Sequence, residues 1–132
     1  LRSTPKNITN NSKEVKMIWL YVFGLVSFGV AYILDAVMDT VLFHRHIMIF
    51  PATNYWRLAT DYQKLPWYRK IFGRDAWHDA KKLKQLFIVT SIVLFCKSGM
   101  PVYLWLPALP VEILIFHELF FKYIFIKKGA PK

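Results

Sequence analysis

Three stretches dominated by apolar residues alternate with polar, turn-forming segments, and this alternation sets the expected architecture. Residues 17–34 carry no charge, and apolar residues resume after Asp35 and Asp39 as far as Phe43. At about 1.5 Å per residue, a helix over 17–43 reaches or exceeds the roughly 30 Å of bilayer hydrocarbon. The second apolar run, 86–96, is short by itself, but joined to the turns before it a helix over 76–96 is long enough to cross. Asp75 stands where a side-chain cap for that helix belongs. The third stretch, 101–126, contains Pro107 and Pro110, which predict regular helix only from near Pro110, with residues 102–109 shallow or re-entrant.

Residues 44–75 are different in kind. Pro51, Pro66 and Gly73 sit among Trp, Tyr, Arg, Lys and Asp, so this segment is expected to lie at the membrane surface as short amphipathic helices. Trp56, Trp67 and Trp77, with Tyr55, Tyr62 and Tyr68, are the expected interface anchors, because such rings settle at headgroup level. Residues 1–16 are polar and aperiodic and read as an extended or loosely ordered arm; residues 129–132 read as a tail. The fold class that follows is all-α: one polytopic membrane domain over 17–128, with about three transmembrane helices and an interfacial segment.

Composition agrees with that class. Of 132 residues 55% are hydrophobic, and although the formal net charge is +10, the 18 Lys and Arg cluster at the ends and in one central segment, leaving long stretches nearly free of charge. Anionic headgroups and the positive-inside rule account for this distribution better than nucleic acid does. In a three-pass arrangement five cations fall on the side of the N-terminus and Lys97, and thirteen on the other. The N-terminus is therefore expected outside and the C-terminus in the cytoplasm, matrix or stroma. Cys96 is the single cysteine, which rules out an internal disulfide and a cysteine-based zinc site. The chain opens on Leu1, so a native start or cleaved signal is expected upstream. Asn7-Ile8-Thr9 and Asn10-Asn11-Ser12 have the form of glycosylation acceptors, a pattern that arises often by chance.

The candidate chemistry lies in polar groups at membrane depth. Asp35 and Asp39 are one turn apart on one face, and the same stripe leads to His46. Burying a carboxylate there is costly unless it is paired, protonated or metal-bound. Asp75, His78, Asp79 and Lys82 share a face of the second helix, and Glu112, His117 and Glu118 lie on the third. If the helices bundle, Asp35, Asp39, His78 and Asp79 form a candidate divalent-metal set, with His46, Glu112 and His117 as further polar members. Pairing with cations of neighbouring helices is the structural alternative, and a proton path is the third.

The runs from Asp35 to His44, Tyr55-Trp56, and Phe72-Gly73-Arg74-Asp75-Ala76-Trp77-His78-Asp79 resemble short uncharacterised polytopic membrane proteins of bacteria. The similarity covers about residues 29–94 and implies a membrane fold without naming an activity. The expected role is a binding or accessory subunit of a membrane complex or homo-oligomer, with the lipid bilayer and other membrane subunits as partners. A metal-dependent membrane enzyme and a small ion or proton channel are the alternatives.

Overall fold

A computed structural model describes residues 5–129, which are all-helical, with 72% helix and no strand. The first helix, α1 (Pro5–Phe43), is 39 residues long. It takes in most of the segment expected to be an extended arm. Pro5 suits a first helical position, and once the apolar turns have nucleated, each added residue costs only its own ordering. The side chains of residues 7–16 are exposed, and these turns project beyond the packed part of the helix, which begins at Met17.

The long helix α3 (Ala76–Ser98) runs antiparallel to α1. Met17 approaches Gly99, Gly24 meets Phe95, and Asp35 meets Lys84, so the contacts step in opposite directions along the two chains. Its ends are set locally. The Asp75 side chain accepts a hydrogen bond from the His78 backbone N–H, as expected of a cap, and Gly99 closes the helix at φ +69°, where a side chain would be strained.

The third helical stretch runs parallel to α1 and is irregular. It comprises α4 (Val102–Trp105), α5 (Ala108–Glu112) and two π-helical turns, Ile113–His117 and Phe120–Ile124. Helical turns begin at Val102 rather than near Pro110, which corrects the sequence expectation. Pro107 precedes α5 and Pro110 falls in its first turn, where a missing N–H leaves no intrahelical bond unmade.

Residues 44–75 hold a 3₁₀ turn (Tyr62–Lys64) and the short helix α2 (Trp67–Ile71). They close one end of the bundle. An isolated antiparallel bridge pairs Met48 with Ile126, through Ile49 N–H to Phe125 C=O at 2.9 Å and Lys127 N–H to Ile47 C=O at 2.7 Å. Beneath it, Val41, Met48 and Ala76 form a buried cluster joined by Val37, Phe50, Tyr55, Trp56 and Leu58.

Two helical segments, Asn7–Phe43 and Val102–Ile124, are long and apolar enough to cross a membrane. The helix α3 has the length of a third, but Lys81, Lys82 and Lys84 occupy its first turns and Lys97 its last. Only 22% of the most apolar window of α1 is buried, and none of that of Val102–Ile124.

Candidate functional site: a polar seam between the helices

Both other long elements pack against α1, and helical spacing decides which of its residues each one meets. Gly24 and Gly29 are five residues apart, about 140° around an α-helix, so they face different neighbours. A Cβ on Gly24 would lie 2.7 Å from the Phe95 ring of α3; one on Gly29 would lie 2.9 Å from Phe116 and 3.3 Å from the Glu112 carboxylate. Asp35 follows Gly24 by three turns and therefore also faces α3. Its carboxylate accepts from Lys84 Nζ at 2.5 Å, and the Lys84 ammonium lies 5.5 Å from the centre of the Tyr32 ring.

Asp39, one turn further, turns instead to the third stretch, where His117 Nε2 lies 2.9 Å from its Oδ2. An ionised Asp39 can only accept here, with the ring nitrogen as donor. His117 Nδ1 is 3.4 Å from Glu118 Oε1, a weak contact, and Glu118 is paired with Lys122. The first π turn makes the Asp39 contact possible. In an α-helix Glu112 and His117 would point to different sides, whereas i→i+5 bonding stacks residues five apart, so Glu112, Phe116 and His117 all address α1. The same rotation lays Phe121 on His44, with ring centres 4.6 Å apart.

Asp75, His78 and Asp79 belong to a separate cluster that anchors the start of α3. Asp75, 6% exposed, faces His78 Nδ1 at 2.8 Å and Arg74 Nε at 3.4 Å. Asp79, 4% exposed, accepts from the Gly73 N–H at 2.8 Å and from the Tyr55 hydroxyl at 2.9 Å. Gly73 lies at φ +89°, which brings its N–H to the carboxylate. Burial first, then the hydrogen bond to Asp79 and the charges of Asp79 and Asp75, raise the Tyr55 phenol above its ordinary value. The phenol therefore stays a donor.

The metal set expected from sequence does not assemble. Asp35 is held by Lys84, Asp39 by His117, and His78 and Asp79 by the α3 cap, so the four are committed to different partners. Among the described residues no three Asp, Glu, His or Cys side chains converge as metal ligands. His46 is exposed on the turn after α1, away from the seam's pairs. Glu112 is in the seam, but its Oε2 is buried without a hydrogen-bond partner, as are His44 Nδ1 and Trp77 Nε1.

The expected anchors also part company. Trp67 is 75% exposed, next to exposed Tyr68, Ile71 and Phe72. Trp56 is stacked on Phe50 at 4.3 Å and belongs to the buried cluster, while Trp77 is partly buried with Lys81 over its ring. Two partners escaped the sequence reading. Lys84 as the counter-charge of Asp35 needed the register of α1 on α3, and Tyr55 as donor to Asp79 needed the path of 44–75. No family model, curated protein or solved structure matches the chain.

Proposed function

We propose that this chain is a three-pass membrane protein acting as a binding or accessory subunit of a membrane complex or homo-oligomer, its intramembrane carboxylates serving to join helices. The observation that carries this is the commitment of Asp35 to Lys84 and of Asp39 to His117, one on each neighbouring element. A carboxylate matched to a cation or to a ring N–H of a neighbouring helix ties the two together, and it leaves little ligand capacity for catalysis.

The membrane part rests on which faces are apolar. Trp19, Phe23 and Val26 on α1, Leu86, Val89 and Val93 on α3, and Leu114, Ile115 and Leu119 on the third stretch are all exposed. A water-soluble three-helix domain would turn such residues inward, whereas lipid accepts them outward. The charge bias favours the N-terminus outside and the end built by 44–75 and 125–128 inside. A subunit role is favoured by the third stretch, whose apolar window is unburied and whose Glu112 Oε2 lacks a donor.

Purification from native membranes in mild detergent tests the proposal, with native mass spectrometry and metal analysis on one sample. A homo-oligomer or a defined complex without stoichiometric metal is expected. A partnerless monomer, or a stoichiometric metal released by Asp39→Asn, overturns it. One observation favours a second reading, a proton path: Asp39, His117, Glu118 and Lys122 contact one another in sequence. Proton flux in liposomes that His117→Ala abolishes would select it.

A further inference from the structure

Directly after α1 the chain makes a tight turn in which Ile47 and Met48 N–H both donate to His44 C=O, at 3.0 and 2.8 Å. Ile47 and Met48 are buried by it, and Arg45 and His46 are left exposed at its tip. Arg45 is oriented by its own helix: Nε donates to Val41 C=O at 3.1 Å, which answers the negative end of α1 and leaves the two terminal nitrogens free. Across from it, the backbone of Arg57 is fixed by two packed neighbours, Trp56 stacked on Phe50 and Leu58 against the buried cluster, while its side chain is exposed. Leu58 is the one described non-glycine residue with positive φ, at +58°, a conformation that persists only where its surroundings impose it. Arg45, His46 and Arg57 together line an open groove of about 350 Å³.

The charge in this groove is uncompensated. Asp61 is held by Lys64, Asp75 by Arg74 and His78, Asp79 by Tyr55 and Gly73, and Glu118 by Lys122. Asp35 and Asp39 are paired within the bundle, Glu112 lies against Gly29, and Glu14 is on the projecting turns at the far end. The other cations of 44–75 have partners too: Arg69 on Gly73 C=O, and Lys70 and Arg74 over the Tyr62 ring. Arg57 has none among the described residues, and the Arg45 guanidinium has only its Nε engaged.

Two guanidinium forks, that of Arg45 oriented by its Nε bond, and an imidazole around one concavity match the oxygens of a phosphate group, which a fork can bind through paired hydrogen bonds. We propose that Arg45, His46 and Arg57 form a binding site for a phosphate monoester, presented by the headgroup of an anionic lipid. The lipid source rests on the membrane reading above. The groove begins two residues after Phe43, the last residue of apolar α1, at the end that carries exposed Trp67 and Tyr68. That depth is where headgroup phosphates lie.

The test uses the full chain in phosphatidylcholine nanodiscs containing a small fraction of phosphatidic acid, or of phosphatidylglycerol as a diester of similar charge. Lipid retained by the released protein is read by native mass spectrometry, and inorganic phosphate and glycerol phosphate serve as soluble competitors. Retention of phosphatidic acid over phosphatidylglycerol is expected, weakened roughly tenfold or more by Arg45→Gln with Arg57→Gln. Lys127→Gln with Lys128→Gln, at the same end but outside the groove, should leave it unchanged. Arg45→Lys with Arg57→Lys keeps charge and fold but loses the forks, and should weaken retention as well. Equal retention in the arginine variants, or equal loss in the lysine control, overturns the site. Phosphate binding that needs Arg45 and Arg57 in a chain extracted by alkaline carbonate would refute the membrane source and leave a soluble phosphate site.

Discussion

Replacing Lys84 by methionine keeps most of the side-chain volume and leaves Asp35 facing α3 without its cation. Removing one member of a buried pair costs about 3–5 kcal/mol, and partial exposure lowers this. Both side chains here are 24% exposed, so the expected loss is about 2–4 kcal/mol. Asp35→Leu with Lys84→Met, which removes both charges together, should return to within about 1 kcal/mol of the parent. Reversible unfolding in bicelles, followed by circular dichroism as a double-mutant cycle, reads these quantities. Single changes that each cost less than about 0.5 kcal/mol and add without coupling would refute the pairing of α1 with α3 through this contact.

His117→Ala should free the third stretch from α1 while leaving α3 docked, seen as faster amide exchange over 113–124 and unchanged exchange over 76–98. Gly24→Ala places a methyl against the Phe95 ring and should destabilise by about 1–3 kcal/mol, an effect that Phe95→Leu in the same chain partly reverses. Because Tyr55 is raised in the folded state, its contribution to stability is complete below about pH 10 and is lost as pH rises above that; phenolate absorbance near pH 10 should be unchanged by Tyr55→Phe. With Cys96 replaced by Ser, a cysteine at position 4 should label from outside and one at position 131 from inside; outside labelling at 131 removes the orientation.

Local order carried much of this architecture into the sequence. The charge-free run before Asp35 and the capping position of Asp75 depend on neighbours within a few residues, and each is found where its pattern places it; Asp35 and Asp39, one turn apart, meet different neighbours. That the two carboxylates face protein also follows from cost alone. Their partners did not follow, because Lys84 and His117 are separated from them by 49 and 78 positions and meet them only through helix register. The π turns were illegible for a related reason. A count of apolar residues assumes one angular step throughout, and Ile113–His117 departs from it. The grouping of Asp35 and Asp39 with His78 and Asp79 failed because facing helices were assumed to converge, whereas Asp79 is turned toward Gly73 and Tyr55 by the path of 44–75.

The bridge between Met48 and Ile126 bears on the order in which the molecule is made. Ile47 and Ile49 leave the ribosome long before Phe125 and Lys127, the residues whose backbone groups they bond. Until those arrive, the turn after α1 has no partner for its exposed edge, and the cluster around Val41 and Met48 lacks its cover from Phe125. The helices can form one after another, but this end locks only after the third stretch is in place. An incompletely synthesised chain therefore presents an open strand edge and a half-covered apolar cluster, features that invite association with other chains until the last segment arrives.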